Sequence, residues 1–220
     1  FLGWSAGQYT TTGAINFYGG YAAGVCNQSG NKNVAIGSEA LKGSGTPANN
    51  TGSYNIAFGQ QAGKGITSGS DNIIMGRGAG DALTTGTGQI AIGYGALGSE
   101  DTNGNGQIAI GVDALAVTNT TSLGNIAIGK NAGKAVTSGG ESVYIGYSAG
   151  DGTTGSKNTV IGFLALTASG SGEENVVIGR DAGRNTTGSQ NTIVGDAAGG
   201  SASGDGSGNT FIGKDSGGAV

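Results

Sequence analysis

Three glycine-rich segments of the sequence have the spacing of phosphate-binding motifs. Residues 93–98 match the pattern GxGxxG, which holds the pyrophosphate of a dinucleotide where a helix follows directly. A polar stretch containing further glycines follows here, and it is unsuited to a helix. Residues 124–130 and 208–214 resemble a P-loop up to its lysine, but Asn131 and Asp215 stand where the motif needs a hydroxyl for Mg²⁺. We therefore expect no nucleotide cofactor.

The acidic residues also lack the arrangement that hydrolytic chemistry or metal binding requires. A glycosidase needs two carboxylates that face each other across a sugar, whereas Glu100–Asp101 and Glu173–Glu174 are neighbours in loops, and the chain has no His. The segment Gly204–Gly208 resembles part of a calcium-binding nonapeptide but has no second carboxylate in register. We expect no metal ion and no enzymatic activity, which disfavours a β-helical lyase or depolymerase.

Composition excludes several other classes of protein. The 220 residues include 50 Gly but one Pro and one Cys, which rules out collagen and a disulfide scaffold. No apolar run is long enough to cross a membrane. A net charge of −4 with scattered Lys and Arg disfavours nucleic-acid binding.

One repeated unit accounts for the whole sequence. It has the pattern Asn-φ-x-φ-Gly-x-x-Ala, where φ is apolar, followed by Thr, Ser and Gly; Asn125–Gly129 is a clear example. We name its central glycine the marker glycine and count positions from it, so that Asn is −4 and Ala is +3. Successive markers lie 16 to 18 residues apart, apart from one spacing of 22. The markers are Gly3, Gly20, Gly37, Gly59, Gly76, Gly93, Gly111, Gly129, Gly146, Gly162, Gly179, Gly195 and Gly213.

Each unit is predicted to form one coil with a short strand. Its apolar stretch spans three to four residues, is rich in Ile and Val and ends at the marker. Turn-forming residues fill the remainder. Stacked coils would satisfy each other's backbone groups at about 4.8 Å per layer. We predict a parallel β-solenoid or β-roll of about thirteen coils, forming a single repeat domain over 1–220 that is a segment of a longer fibrous protein.

The predicted strand is apolar on both faces, which bears on its partners. Positions −3 and −1 point to one face and position −2 to the other, as for Ile126, Ile128 and Ala127. A strand that is apolar on both faces is normally buried on both. One face can line the coil interior, and another copy of the chain could cover the second. We expect a homotrimer with threefold symmetry; the alternative is a monomeric solenoid with a mildly apolar surface.

Asn recurs at −4, where stacked amides can hydrogen-bond along the axis and favour the turn into the strand. We interpret this row as structural, with a ligand-binding row as the alternative; Gln89, Gln107 and Ser142 replace Asn in three units. Its members are Asn16, Asn33, Asn55, Asn72, Asn125, Asn158, Asn175, Asn191 and Asn209.

Position +1 varies from unit to unit, unlike a core position, so these side chains are predicted to point outward. Exposed aromatic and Arg side chains are typical of recognition surfaces; the alternative is that they only shield neighbouring coils. The candidate recognition residues are Trp4, Tyr21, Arg77, Tyr94, Tyr147, Phe163 and Arg180. The 22-residue spacing places an inserted loop at 43–51, a second candidate contact.

The repeats resemble two families. Asn33–Gly37 and Asn125–Gly129 are similar to head repeats of YadA-like trimeric autotransporter adhesins, and Ser189–Gly195 and Gly208–Gly213 to Gly-rich repeats of bacteriophage tail fibres. The resemblance covers essentially all 220 residues. It implies a left-handed trimeric β-roll that serves as a shaft or adhesive head. The units are longer than the compact adhesin-head repeat, which favours the phage assignment.

We therefore expect a structural or adhesive fibre segment of a virion appendage, with a host glycan or outer-membrane receptor as a further partner. The alternative is the head of a bacterial surface adhesin, on the cell surface. A third hypothesis is an ice-binding solenoid, which needs flat Thr rows. Adjacent pairs such as Thr153–Thr154 point to opposite faces instead and disfavour it.

Overall fold

The structure is a computed structural model that describes residues 1–98, 105–117, 123–167, 170–200 and 206–218. Within these ranges it is an all-β parallel β-solenoid with twelve parallel strands and almost no helix, as the sequence predicted. The chain divides into two compact parts, each of which contains several repeats: Phe1–Val112, from here on called the first unit, and Asp113–Val220, the second unit. No helix in the described residues is long and apolar enough to cross a membrane.

Every strand has three residues and ends directly before a marker glycine. In the first unit the strands are β1 Phe17–Gly19, β2 Val34–Ile36, β3 Ile56–Phe58, β4 Ile73–Met75, β5 Ile90–Ile92 and β6 Ile108–Ile110. In the second they are β7 Ile126–Ile128, β8 Val143–Ile145, β9 Thr159–Ile161, β10 Val176–Ile178, β11 Thr192–Val194 and β12 Thr210–Ile212.

Within each unit, strands that follow each other in sequence pair in parallel, and the register joins equivalent positions of the repeat. Val34 pairs with Ile56 and Ile56 with Ile73 in the first unit. Val143 pairs with Thr159 in the second. The repeat length therefore sets the register, because each coil returns the chain to the same position one layer further on.

The predicted number of about thirteen coils is too high, since the solenoid has about ten turns. The first repeat forms only a β-bridge, Leu2 to Gly19, instead of a strand. The inserted loop differs as well, because Pro47–Asn49 forms a single 3₁₀ turn there.

Position −2 of each strand and the Ala at +3 fill the coil interior. Ala57, Ala91, Val177 and their equivalents at −2 are fully buried within the described coils up to β11, and the Ala at +3 is buried from Ala6 to Ala198. Small side chains here let opposite walls of the coil approach closely. The face that the sequence left open is thus settled: −2 points inward, and −3 and −1 point outward.

In several coils position +4 compensates for the size of the side chain at −2. Where −2 is aromatic, +4 is Gly, and a Cβ on Gly24 would lie 2.6 Å from the ring of Tyr18. Where −2 is Ala, +4 can be Leu, as in the coil of Ala91 and buried Leu97. In the coils of Ala57 and Ala127 both positions are small, and Ile66 and Val136, at position +7, lie against the +4 glycine instead.

The marker glycines are required by both conformation and space. Gly76 has a φ of +134°, and a Cβ on it would lie 2.5 Å from the carbonyl oxygen of Gly93, the marker of the next coil. Only glycine adopts such a φ readily. The markers therefore form a column in which successive backbones are in contact.

Candidate recognition surface

The outer face of the sheet, which we define as positions −3 and −1 of the strands, is apolar and at least partly exposed. On β5, β6, β8 and β11 both of its residues are half-buried. The face consists of Ile, Val, Phe and Met apart from Gly19, Thr159, Thr192 and Thr210. Typical members are Ile73, 38% exposed, and Met75, 42% exposed. Because parallel sheets normally have both faces covered, this is the surface of the molecule that most needs a partner.

The +1 column lies beside the outer face, just past the marker glycines. The predicted recognition residues are all exposed: Trp4, Tyr21, Arg77, Tyr94, Tyr147, Phe163 and Arg180. Trp4, at 79%, and Tyr21, at 58%, are the most exposed of its aromatic side chains. The structure brings the residues of each unit together along one line, because the register places equivalent positions in adjacent layers.

Neighbouring side chains of the +1 column contact each other. The guanidinium carbon of Arg77 lies 4.5 Å from the ring centroid of Tyr94. The rings of Tyr147 and Phe163 are stacked, with centroids 5.2 Å apart and an interplanar angle of 17°. Stacking along the column occupies ring faces that a sugar would otherwise cover, so these two pairs present mainly their edges outward.

A charge pair continues the column in the second unit. Arg180 donates to the Asp196 carboxylate at 2.8 Å, and this hydrogen bond, followed by the charge of Asp196, raises the pKa of the arginine. Arg180 also lies 3.5 Å from Asp181. The +1 column therefore combines stacked aromatic rings with an exposed ion pair, an arrangement that suits polar as well as apolar contacts.

Backbone hydrogen bonds from the residues at position +2 fix the +1 residues in place. Residues at +2 adopt a positive φ even when they are not glycine, such as Glu39 at +58° and Asp181 at +54°. In this conformation the N–H of Glu39 donates to the carbonyl of Tyr21 at 2.8 Å, and that of Asp181 to Phe163 at 2.9 Å. Each +1 residue is thereby anchored through its carbonyl to the next coil.

A second exposed column lies on the other side of the outer face, at position −5, and the sequence interpretation missed it. Its residues have φ between about +56° and +72°, including Ile15, Tyr54 and Lys157. The N–H of Tyr54 donates to Asn31 of the preceding coil at 2.9 Å. The available signal was Gly at −5 in Gly88, Gly106, Gly124 and Gly208, which marks a left-handed position.

The Asn row at −4 is buried and links adjacent coils, and it does so mainly through the backbone. The Asn33 side-chain oxygen accepts the Asn55 backbone N–H at 2.9 Å, while Asn33 Nδ2 donates to the carbonyl of Gly52 at 2.9 Å. Direct contacts between side chains join some neighbours, such as Asn72 Nδ2 to Asn55 Oδ1 at 2.9 Å. Ser142 serves in the same way, because its hydroxyl accepts the Asn158 N–H at 3.0 Å.

The inserted loop is fastened by one buried side chain. Asn50, 2% exposed, accepts the Ser44 N–H at 2.9 Å and donates to the Thr46 carbonyl at 2.8 Å. A cavity of about 20 Å³, large enough for one water molecule, adjoins Asn50 and Asn27. The loop is therefore ordered by its own hydrogen bonds.

The chemistry-bearing motifs form no common site among the described residues. The GxGxxG match at 93–98 continues from β5 into turns. Glu173 is bonded through its backbone to Ser189, and Glu174 through its carboxylate to Gln190. No group of three or more potential metal ligands occurs in the described part of the chain. The pair Glu100–Asp101, and Gly204 and Asp205 of the calcium-like segment, lie outside the described residues.

The strongest electrostatic effect lies at a carboxylate of position +2, beside the +1 column. Hydrogen bonds from Lys42 and Gln61 lower the pKa of Glu39 to about 2. Lys42 Nζ lies 2.7 Å from this carboxylate and Lys64 Nζ 3.5 Å from it. This cluster joins two coils through charge and has a structural role.

Comparisons of the chain with protein-family models, with curated proteins and with solved structures find no match. The function must therefore be inferred from the fold and its exposed surfaces.

Proposed function

We propose that this chain is a segment of a fibrous virion appendage, such as the shaft or host-attachment part of a phage tail fibre, and that it acts as a homotrimer. The observation that supports this proposal is the exposed apolar outer face. Apolar side chains that are exposed or half-buried occur on this face in every strand of both units, so the face is a property of the repeat. Large exposed apolar patches mark interaction sites.

A second copy of the same chain is the partner that fits this face best. The face repeats with the period of the coil, and a partner must match that period along its length. An identical solenoid does so. Closed cyclic association, in which each copy contacts the next, would hide the outer face of all copies and leave none unpaired. Three copies form the smallest such ring in which every copy has two neighbours.

In this assembly the +1 column would border the interface and carry the contact with a host. Tyr21, which is 58% exposed although coils adjoin it on both sides, is the residue most available for this role. A glycan or an outer-membrane receptor would supply the ring and hydrogen-bonding groups that such side chains bind. The mechanism of the segment itself is mechanical, because stacked and mutually covered coils resist unfolding and proteolysis.

Native mass spectrometry and sedimentation equilibrium test the self-association. The chain has a mass of 21.1 kDa, and we expect a species of about three times that mass. The I128K variant places a charge on the outer face and should shift the mass to that of the monomer. V117K is the matched control, since Val117 is an exposed aliphatic residue of the same unit outside the outer face (48% against 38% for Ile128).

Circular dichroism and proteolysis complete the test. I128K should keep the β spectrum of the wild type and be cleaved faster, whereas V117K should behave as the wild type does. A wild-type chain that stays monomeric at high concentration, or an I128K variant that still forms trimers, would contradict the proposal.

A further inference from the structure

The two columns that border the outer face are complementary to each other. Within one coil, −5 and +1 lie on opposite sides of the outer face and are exposed, as Asp71 and Arg77 are. In a cyclic assembly each copy presents its −5 border to the +1 border of the next. We propose that these borders meet coil against the same coil, and that their charges fix the register between copies. This inference rests on the proposed self-association.

Asp71 and Arg77 carry the argument in the first unit. They belong to the same coil, have opposite charges and form no ion pair with the described residues of their own chain. The Arg77 guanidinium is positioned over the Tyr94 ring, which orders it at little entropic cost and leaves its hydrogen-bond donors available. A carboxylate on a neighbouring copy is the group that fits it.

The second unit repeats this match at Glu174 and Arg180, again in a single coil. Both residues have polar contacts within the chain, to Gln190 and Asp196 respectively. Arg180 is 62% exposed and can bind a second carboxylate from outside. Each unit thus contains one oppositely charged pair at equivalent positions, although the surrounding residues differ.

The remaining coils are compatible with the same register. No described coil places like charges at −5 and +1. Where −5 is glycine, the +1 residue has a larger side chain that could occupy the space. The pairs are Gly88 with Tyr94, Gly106 with Val112, Gly124 with Lys130 and Gly208 with Lys214.

Shifting one copy by one coil relative to its neighbour, in either direction, gives a less favourable set of charge pairs between the two borders. Advancing the +1 border by one coil places Lys157 against Arg180 and Glu174 against Asp196, two pairs of like charge. The opposite shift separates both matched pairs and creates only one new pair of opposite charge, Glu141 against Lys130. Like charges across an interface disfavour the wrong arrangement more than matched charges favour the right one.

Charge reversal and charge exchange in the full chain test the inference. At low ionic strength, R77E should weaken trimer formation about tenfold or more, because three equivalent contacts each become repulsive. The exchange variant D71R/R77D should restore association to within about twofold of the wild type. T12E/T85E, which changes the net charge of the same unit by the same amount at two exposed residues outside both borders, should have little effect. In about 1 M salt the R77E defect should shrink, since the screening length falls to about 3 Å.

Cross-linking gives an independent measurement of which residues meet. With a short bifunctional maleimide, which spans the length of the Asp71 and Arg77 side chains that it replaces, D71C/R77C should form covalent rings of three chains, because each copy can be linked to the next, whereas D71C or R77C alone should not. If the wild type forms trimers but R77E and T12E/T85E behave alike, or if D71C/R77C stays uncross-linked, the register inference is wrong while the self-association stands. If the wild type is a monomer, both proposals fail.

Discussion

Gly150 lies directly against the ring of Tyr144, so that a Cβ on Gly150 would come within 2.0 Å of the ring atom Cδ1. Tyr144 is fully buried at position −2, and Gly150 is the +4 residue of the same coil. The coil of Ala91 and Leu97 fills the same space with the large residue at the other position. In these two coils the interior is therefore shared between positions −2 and +4, and a large residue at one of them requires a small residue at the other.

This relationship predicts compensation between two core mutations. Y144A alone should lower the free energy of unfolding by about 3 to 5 kcal/mol, because it leaves a cavity. G150L alone should prevent normal packing, since its side chain overlaps the Tyr144 ring. Y144A/G150L should recover much of the loss, because it recreates the Ala–Leu pair of other coils. Urea unfolding of the four proteins checks this.

The recovery should stay incomplete by about 1 kcal/mol. Gly150 has a φ of +66°, and leucine in a left-handed conformation is strained, although Leu97 and Leu115 accept it at +50° and +47°. A double variant no more stable than Y144A would show that the two positions do not share one space.

Marker glycines and −5 glycines should differ sharply in their tolerance of alanine. G76A places a Cβ 2.5 Å from a backbone oxygen at a φ of +134° and should cost about 3 kcal/mol or more. G88A is the matched control, with a φ of +69° and no atom within 4 Å of the added Cβ. It should cost about 1 kcal/mol. Thermal unfolding of both variants measures the difference, and equal losses would contradict the close contact of the marker column.

Removing one side chain of the Asn row should leave polar groups of two coils unsatisfied. Asn55 donates to the Gly69 carbonyl at 2.9 Å and accepts the Asn72 N–H at 3.1 Å, all within the buried interior. N55A should therefore lower the free energy of unfolding by about 3 kcal/mol. N55Q should cost less, since Gln89 occupies the same position and accepts the Gln107 N–H at 3.0 Å. Chemical denaturation compares them, and a neutral N55A would contradict this role.

Stability should depend on pH in the acidic range through Glu39. Its pKa in the folded chain, about 2, lies below the ordinary value of 4.5. The stabilisation from this carboxylate is therefore fully present above about pH 4.5 and is lost as the pH falls toward 2. E39Q should be less stable than the wild type at pH 7, and this difference should disappear near pH 2. Urea midpoints across this range measure it, and a difference independent of pH would exclude the linkage.

The strands and their pairing could be predicted because both follow from features visible in the sequence. An apolar stretch before each marker glycine predicts a strand, and a repeat of 16 to 18 residues predicts which strands pair. The outward position of residues such as Trp4 and Arg77 also followed from their variability. These features depend on composition and spacing, which the sequence displays directly.

The left-handed residues and the core pairs depend instead on the neighbouring coil. Ile15 and Leu41 have positive φ of 59° and 46°, which local preference disfavours. The positive φ lets the backbone N–H at these positions donate to a carbonyl of the adjacent coil. Leu41 donates in this way to Ala62 at 3.0 Å, and Lys32, the equivalent of Ile15 in the next repeat, donates to Ala14 at 3.0 Å. For the same reason the sequence could not show that Gly150 makes room for Tyr144, or that the −5 residues form a second column.

The Asn row also has a kinetic consequence. The Asn55 side chain accepts the backbone N–H of Asn72 in the coil that follows, so a coil is satisfied only when its neighbour is already in place. Folding should begin with a slow step in which two or three coils form together, and then advance one coil at a time. Such a chain can gain or lose whole repeats over evolutionary time without loss of its fold, because each addition only moves the growing end by one layer.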